Sequence, residues 1–254
     1  MTILLSVDHQ VESGGSVRLL TLNRPEVLNA FDTDLYRAVA AALDSAREDD
    51  AVRVLVLSGA GRAFSAGQDL KEMTRLATAG PDDKVDSGFP ALVDSLVAFD
   101  KPLIAAVNGL AVGIGFTMLP HFDLVLVSDE ARFRTPFAEL GVAPEAASSL
   151  MLPMAIGTQL AAQVLFTGDW ISAADAVAGG LALSSHPPDE VLPAALALAE
   201  RIAAFPLGSL RAIKTTIVDA RRDAIAAARS REDAHFSELL SKMVAGDKWT
   251  GGAA

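Results

Sequence analysis

The first two thirds of the chain alternate short β-branched runs with stretches of helical character. The apolar runs predict strands at residues 16–22, 52–58, 103–107 and 123–127. Alternation of strand and helix signals along a chain is typical of an α/β protein. We therefore expect an α/β fold.

Two of the predicted helices carry start signals. Apolar side chains recur every fourth position after Asp32, so residues 33–49 predict an amphipathic helix with one apolar stripe. Asp32 is expected to cap that helix and Ser172 to cap a second one, because short oxygen-bearing side chains accept hydrogen bonds from the free amides of a first turn. The pair Gly179-Gly180 would end the second helix.

The composition changes at residues 184–190, and the rest of the chain predicts helices alone. A helix is expected at residues 191–204, and a long helical stretch rich in Ala, Arg and Glu is expected from residue 210 to about residue 243. Helices without strands suit either a second small helical domain or an arm used for oligomerisation. We accordingly divide the chain into residues 1–190 and residues 191–254.

The chain has 254 residues, of which 51% are apolar and 21% are charged, so it is too apolar for a disordered protein. The 21 Lys and Arg against 32 Asp and Glu give a net charge of −11 with no basic block, which disfavours a nucleic acid as partner. The absence of cysteine excludes disulfides and thiolate nucleophiles. The four histidines show no pair at metal-binding spacing, so no metal site is expected.

Targeting and membrane signals are absent or weak. The first charged residue is Asp8, which is the reverse of the basic start of a signal peptide. Residues 103–120 are apolar and nearly long enough to cross a bilayer, but Asn108 and three glycines favour a buried strand, turn and helix. We expect a cytoplasmic protein that does not enter the membrane.

Two glycine turns follow predicted strands and carry the candidate chemistry. Ala66-Gly67-Gln68 leads into a helix expected at residues 69–76, and residues 108–115 (NGLAVGIG) lead into a further apolar run. Backbone N–H groups at a helix start lack intrahelical partners and can bind a developing negative oxygen. Two such turns aimed at one point would form an oxyanion hole, although each alone is also an ordinary connection between a strand and a helix.

Five stretches of the chain together form a recognisable pattern. They lie at residues 22–31 (LNRPEVLNAF), 64–73 (FSAGQDLKEM), 101–115 (KPLIAAVNGLAVGIG), 166–176 (FTGDWISAADA) and 206–214 (PLGSLRAIK). In this order they resemble the crotonase superfamily, also called the enoyl-CoA hydratase/isomerase family. The resemblance implies a crotonase (ClpP-like) ββα spiral core with an acyl-CoA site over residues 1–190, and a helical trimerisation region over residues 191–254. It also implies a homotrimer or a dimer of trimers, and no cofactor other than the coenzyme A carried by the substrate thioester.

The resemblance assigns the two oxyanion donors to the backbone N–H groups of Gln68 and Ile114. The family usually carries glycine at the second position, so the Ile114 side chain is expected to narrow the acyl pocket. The resemblance implies contacts with substrate around the two turns, at Ala66, Gly67, Asp69, Gly113 and Phe137. Arg24 and Lys71 are candidates to bind the CoA phosphates. The alternative for each of these two is an ordinary exposed cation without a ligand.

The carboxylate side chains available at the expected site decide which reaction of the family to expect. Hydratases of the family resemble one another in carrying two glutamates, and the positions that align with them here are Thr117 and Phe137, neither of which exchanges a proton at neutral pH. Residues 135–149 instead resemble the peroxisomal-type Δ3,Δ2-enoyl-CoA isomerases, whose single catalytic glutamate falls on Glu145. Glu139 is the rival base.

One carboxylate is enough to move a double bond from C3–C4 to C2–C3 of an acyl thioester. It removes a proton from C2 and returns one to C4, while the dienolate oxygen lies in the amide-lined hole. Apolar neighbours of Glu145 are expected to desolvate it and make it a stronger base. The sequence therefore predicts an enoyl-CoA isomerase. The alternatives are a hydratase or another crotonase reaction through Glu145 or Glu139, and a catalytically silent acyl-CoA-binding protein.

Overall fold

The structure of the chain is a computed structural model that describes residues 2–12, 14–69, 71–72 and 87–244. The strands are β1 (Leu4–Gln10), β2 (Ser16–Leu22), β3 (Val52–Gly59), β4 (Ala63–Ser65), β5 (Leu103–Val107), β6 (Leu110–Val112), β7 (Leu124–Ser128), β8 (Arg132–Arg134), β9 (Ile171–Ser172) and β10 (Ser184–His186). The α-helices are α1 (Thr33–Glu48), α2 (Phe89–Ala98), α3 (Ile114–Thr117), α4 (Phe137–Leu140), α5 (Ser148–Ile156), α6 (Thr158–Thr167), α7 (Ala173–Gly179), α8 (Val191–Ala203), α9 (Leu207–Asp219) and α10 (Arg222–Val244).

The strands form two sheets. The larger has six strands in the order β1-β2-β3-β5-β7-β10, in which β1 is antiparallel to β2 and every other neighbouring pair is parallel. The smaller has the order β4-β6-β8-β9, with only β8 and β9 antiparallel among its pairs. The chain enters the smaller sheet directly after β3 and again after β5, so each glycine turn leaves a short strand of that sheet.

The four predicted strands are confirmed. Residues 16–22 and 103–107 match β2 and β5 in full, and β3 and β7 differ from the prediction by one residue at their ends. The sequence analysis did not anticipate β1, which lies at the sheet edge with Leu5 and Val7 42% and 52% exposed. Its apolar residues are too few and too exposed to give the buried pattern on which the other strands were recognised.

The two predicted helix caps are confirmed. The Asp32 carboxylate accepts a hydrogen bond from the Leu35 amide at 2.8 Å at the start of α1. The Ser172 hydroxyl accepts from the Asp175 amide while the Asp175 carboxylate accepts from the Ser172 amide, which is a capping box at the start of α7. Gly180 ends that helix in the left-handed conformation. Of the helix expected at residues 69–76, residues 70 and 73–76 lie outside the described part of the chain.

The helical stretch predicted from residue 210 to about residue 243 is confirmed as helical, but it is divided. Two helices occupy it, because the chain turns at residues 220–221 between α9 and α10. The turn lets Ile225 and Ala228 of α10 pack against Ala147 and Met151 in a separate cluster. Neither glycine nor proline stands at the break, so the sequence pattern carries no stop signal there.

Helix α8 covers the face of the large sheet opposite to α1. Its buried positions repeat every fourth residue from Val191 to Ala203 and pack on Val17, Val54 and Ile104. The division of the chain at residue 190 stays a prediction. Among the described residues, no single helix is long and apolar enough to cross a membrane. Helices α8 and α9 together have the length and composition of a membrane span, but the pair is bent by 110°.

Candidate active site

The two glycine turns pack backbone against backbone. Gly67 has a φ of +90°, and a methyl group added to it would lie 2.8 Å from the Val112 carbonyl oxygen. A methyl group on Gly115 would lie 2.7 Å from the Ser65 carbonyl oxygen. Real side chains do not approach backbone so closely, so glycine at positions 67 and 115 is what brings the end of β4 against the end of β6.

The backbone pairing of the first turn with Phe31 leaves the Gln68 amide without a hydrogen-bond partner among the described residues. Phe31 donates to the Gly67 carbonyl at 2.7 Å and accepts from the Asp69 amide at 2.8 Å, which forms a parallel bridge across Gln68. In such a bridge the middle residue directs its own N–H group away from the partner. Within the described part of the chain, the Gln68 amide accordingly donates no hydrogen bond.

The Ile114 amide is free for a different reason. Ile114 is the first residue of α3, where an N–H group has no carbonyl of the same helix to bond. The amides of Phe116 and Thr117 take the Gly113 carbonyl at 2.9 and 2.8 Å, and the Ile114 amide donates to no group in the described residues. Two unused amides therefore stand at the two turns.

A buried hydrogen-bond network fixes the first turn. Asn29 is fully buried with a φ of +56°, and its side chain accepts from the Arg24 amide and donates to two backbone carbonyls. The Ser65 hydroxyl donates to the Asn29 carbonyl at 2.9 Å and accepts from the Gly67 amide at 3.1 Å. Asn29 and Ser65 support the turn, and the sequence analysis did not single out either.

Glu145 lies at the point where the two turns meet. A methyl group added to Gly113, whose φ is +52°, would lie 3.8 Å from Gly67 Cα and 3.9 Å from Glu145 Oε1. The carboxylate thus faces the second turn across a gap in which glycine leaves space. Of the predicted site residues, the structure brings Glu145, Gly67 and Gly113 together directly.

The environment of Glu145 disfavours its charged form. Glu145 is partly exposed, and desolvation by the surrounding protein raises its pKa from 4.5 to about 7. The negative charge of Glu232 raises this pKa further, and the Thr117 hydroxyl opposes the rise. The Thr117 hydroxyl itself is buried and makes no hydrogen bond of ordinary length with the described residues. The expectation that burial makes Glu145 a stronger base is confirmed in direction.

The turn that follows Glu145 is strained and held from two sides. Ala146 and Ala147 have φ values of +57° and +59°, which residues other than glycine rarely adopt. His121 Nε2 donates to the Ala146 carbonyl at 2.8 Å, and the Glu232 carboxylate accepts from the Ala147 amide at 2.7 Å. Burial lowers the pKa of His121 to about 4, so His121 is neutral at pH 7 with its proton on Nε2.

The side chain of Gln68 adds a polar group beside the site. Tyr36 donates its hydroxyl proton to Gln68 Oε1 at 2.7 Å, and Gln68 Nε2 is buried without a partner among the described residues. Burial is the larger cause that raises the pKa of Tyr36, and the negative charge of Glu145 is the second. Tyr36, Gln68 and Glu145 therefore lie near one another.

The rival base, Glu139, is in different surroundings. Its carboxylate forms an ion pair with Arg134, and its side chain is half exposed. Arg134 also donates to the Gly168 carbonyl at 2.7 Å and lies over the ring of Trp170. The Glu139 carboxylate lies against Gly168, whereas the Glu145 carboxylate lies against Gly113 of the second turn, which favours Glu145 over Glu139 as the base.

The residues predicted to contact substrate have varied surroundings. The Arg24 guanidinium binds Asp32 at 2.9 Å and Asp69 at 3.3 Å, so two carboxylates already surround this candidate for a CoA phosphate. The Lys71 side chain is exposed. Ala66 donates its amide to a backbone carbonyl, and Phe137 is buried at the start of α4. Among the residues that the structure describes, no group of three or more acids or histidines could hold a metal ion.

Comparison with known proteins identifies relatives over most of the chain. A family profile described as enoyl-CoA hydratase/isomerase matches residues 12–246. Enoyl-CoA delta isomerase 2 of Rattus norvegicus is 36% identical over 225 residues, which are 87% of this chain but 57% of that protein. This chain therefore spans less than two thirds of that relative. The 2,3-dehydroadipyl-CoA hydratase of Escherichia coli K12 is 35% identical over 89% of this chain and 87% of its own length.

Solved structures agree with the sequence relatives. The crystal structure of an enoyl-CoA hydratase from Mycobacterium marinum is 46% identical, with a TM-score of 0.78 over 86% of this chain and all of that one. An enoyl-CoA hydratase/isomerase from Pseudoalteromonas atlantica has a TM-score of 0.85 and 31% identity over 98% of this chain and 99% of that one. The fold is thus that of these proteins.

Proposed function

Since the chain belongs to the enoyl-CoA hydratase/isomerase family, with the crotonase fold, we propose that it is a Δ3,Δ2-enoyl-CoA isomerase in which Glu145 moves the proton. The observation that carries the proposal is the meeting of the Glu145 carboxylate with two glycine turns that each leave an amide without a partner among the described residues. By the family resemblance, Thr117 and Phe137 take the positions of the two hydratase acids, and neither can serve as an acid or base near pH 7.

The proposed reaction assigns one role to each part of the site. The thioester oxygen accepts hydrogen bonds from the amides of Gln68 and Ile114, which stabilise the charge that develops on it. Glu145 removes the proton from C2, and the resulting dienolate spreads its charge onto that oxygen. Protonated Glu145 then returns a proton to C4, which leaves the double bond at C2–C3. A carboxyl group with a pKa near 7 is suited to both steps, because either protonation state is accessible at neutral pH.

The remaining expectations stay predictions under this function. We propose that the substrate is an acyl-CoA, that Ala66, Asp69 and Lys71 line its path, and that the protein acts in the cytoplasm. We also propose that it forms a homotrimer or a dimer of trimers. Ile213 and Ile217, one turn apart on α9, are 57% and 55% exposed, and such a pair is suited to burial between subunits.

A hydratase is the second candidate, because the Escherichia coli relative that this chain matches over most of both lengths is named for hydration of an enoyl-CoA. Such a reaction would use Glu145 to activate water. An isomerase consumes the 3-enoyl-CoA and a hydratase consumes the 2-enoyl-CoA, so the rates with these two substrates distinguish the candidates.

The test uses purified protein with a 3-enoyl-CoA and, separately, the matching 2-enoyl-CoA, followed through the absorbance of the conjugated thioester. We expect the conjugated product to form from the first substrate faster than it is lost from the second. Glu145→Gln should lower the isomerisation rate by about 10²- to 10⁴-fold with little change in KM, because a positioned base contributes that much.

Glu139→Gln is the matched control and should retain the rate. If Glu139→Gln loses activity while Glu145→Gln keeps it, the base is Glu139. Faster loss of the 2-enoyl-CoA would indicate a hydratase, and tight binding of both thioesters without turnover would indicate a silent binding protein.

A further inference from the structure

We propose that Glu232, on the C-terminal helix α10, is a positioning residue that holds the turn carrying Glu145 in its active shape. The inference rests on Glu145 being the base of the proposed reaction. Glu232 does not need to touch the substrate for this role, because it acts through the backbone amides of Ala147 and Ser149.

Glu232 binds the turn with both oxygens of one buried carboxylate. Its side chain reaches the start of α5, where Oε2 accepts from the Ala147 amide at 2.7 Å and Oε1 accepts from the Ser149 amide at 2.8 Å. The residue is only 4% exposed. Residues at the start of a helix usually find such an acceptor within their own segment, but the α5 cap position is Ala147, which has no side-chain acceptor. A carboxylate from a distant helix therefore supplies the missing cap.

The turn needs this support because its backbone conformation is unfavourable. Ala146 and Ala147 are consecutive and both have positive φ, so Cβ clashes oppose the conformation at each position. Strained backbone persists when surrounding contacts determine it. The contacts here are the Glu232 carboxylate, the hydrogen bond from His121 to Ala146 and the bond from the Ser148 amide to the Glu145 carbonyl at 2.9 Å. Relaxation of the turn would swing Glu145 away from Gly113.

The charge of Glu232 acts on the same group. It raises the pKa of Glu145 in addition to burial, and the Thr117 hydroxyl of α3 opposes it. Among the described residues, the titratable groups in this region include Tyr36 from α1, which stays protonated, and His121, which is neutral. The positive charges of Arg221 and Lys214 also act on His121. Among described residues near Glu232 on α10, the Arg229 guanidinium is paired with Asp94 of α2 at 2.7 Å. Glu232 is thus the charged group whose removal would change Glu145 most.

The test compares Glu232→Gln with Glu238→Gln, a matched change on the same helix at an exposed position paired only with Lys242 among the described residues. A glutamine at position 232 keeps the size of the side chain but can accept from only one of the two amides. We expect kcat for isomerisation to fall by about 10- to 100-fold with KM nearly unchanged, because small displacements of a catalytic group cost that much. The acid limb of the pH profile should move from near pH 7 to lower pH. Glu238→Gln should leave both unchanged.

A second variant separates strain from loss of folding. Glycine adopts positive φ without a clash, so Ala147→Gly in the Glu232→Gln background should recover part of the lost kcat, while the shifted acid limb remains. Circular dichroism confirms that each variant is folded. Unchanged kcat and pH profile in Glu232→Gln, with Glu145→Gln inactive, would overturn this inference alone. Full activity in Glu145→Gln would overturn the proposed function and this inference with it.

Discussion

Glu145 occupies a position in which its charged form is costly and its neutral form is favoured. Burial and the nearby Glu232 carboxylate raise the pKa of Glu145 to about 7, so the group is close to half protonated at neutral pH. A base that must take a proton from one carbon and give one to another gains from a pKa near the working pH. The same environment must lower the stability of the folded chain when Glu145 is ionised.

We therefore predict that Glu145→Gln stabilises the protein at alkaline pH. An acid whose folded pKa lies above its ordinary value loses stability as the pH rises from about 4.5 to about 7, and the loss persists above that window. The rise in pKa sets an upper bound of about 3 kcal/mol on this cost, and the partial exposure of Glu145 reduces the expected value to about 2 kcal/mol.

Urea unfolding at pH 8 and at pH 4 measures the effect. The variant should be more stable than the parent at pH 8 and equal to it at pH 4. Glu139→Gln, on an exposed ion pair, should change the free energy of unfolding by less than about 1 kcal/mol at either pH. Equal stability of Glu145→Gln and the parent at pH 8 would contradict the raised pKa.

Local motifs were enough to predict Glu145 and the two glycine turns as candidates, which the structure brings together, because those residues lie in short segments that resemble family patterns. Glu232 could not be found in this way. It reaches the turn from a helix 85 positions along the chain from Ala147, and nothing in its own neighbourhood marks it. One of the two carboxylates that bind the Arg24 guanidinium, Asp69, likewise lies 45 positions away in sequence.

Helix α9 is joined to the large sheet by a buried ion pair. Lys214 is 4% exposed and donates to both oxygens of Asp123 at 2.8 and 2.7 Å. Asp123 also accepts from the Leu103 amide at 2.8 Å, just where β5 begins and immediately before β7. One carboxylate thus connects the helix with two neighbouring strands.

Lys214→Met is expected to destabilise the protein by about 3 kcal/mol, because it leaves the Asp123 charge poorly compensated in a largely buried position. Urea unfolding at pH 7 provides the measurement. Lys242→Met, which removes a lysine from an exposed pair with Glu238, should change stability by less than about 1 kcal/mol. Adding Asp123→Asn to Lys214→Met should recover part of the loss. A Lys214→Met protein as stable as the parent would show that the pair contributes nothing.

Strands and helices were predictable from the sequence where their buried residues form a continuous run or stripe. Strands β2 and β5 are short apolar runs inside the sheet, and α1 combines a cap with an apolar stripe. Strand β1 forms by pairing with β2 at an exposed edge, and the break between α9 and α10 follows from packing against α5. Both features depend on partners distant in sequence, which the local pattern does not contain.

The whole molecule carries a net charge of −11, although CoA thioesters are themselves anionic. The sequence analysis assigned the compensating charge to Arg24 and Lys71. Because Asp32 and Asp69 already bind the Arg24 guanidinium, little uncompensated positive charge remains at that position. Long-range repulsion is therefore expected to oppose the encounter with the proposed acyl-CoA substrate.

Added salt should accordingly raise kcat/KM for a 3-enoyl-CoA between about 10 mM and 150 mM ionic strength, because it screens this repulsion. The control is the same acyl group on an uncharged pantetheine-like thiol, for which kcat/KM should stay constant. A fall in kcat/KM with salt would instead indicate a basic patch that attracts the phosphates more strongly than the surface repels them.

The contacts of helix α10 determine whether the C-terminal helices of this protein can be exchanged for those of a relative. Its Glu232 carboxylate caps α5 and acts on Glu145, so the last described helix contributes to a candidate site whose other residues come from earlier elements. A chimera that kept this chain's acyl site but took its C-terminal helices from a relative would inherit the donor's acid–base setting. Reaction type in such a hybrid would depend on the ancestry of both halves.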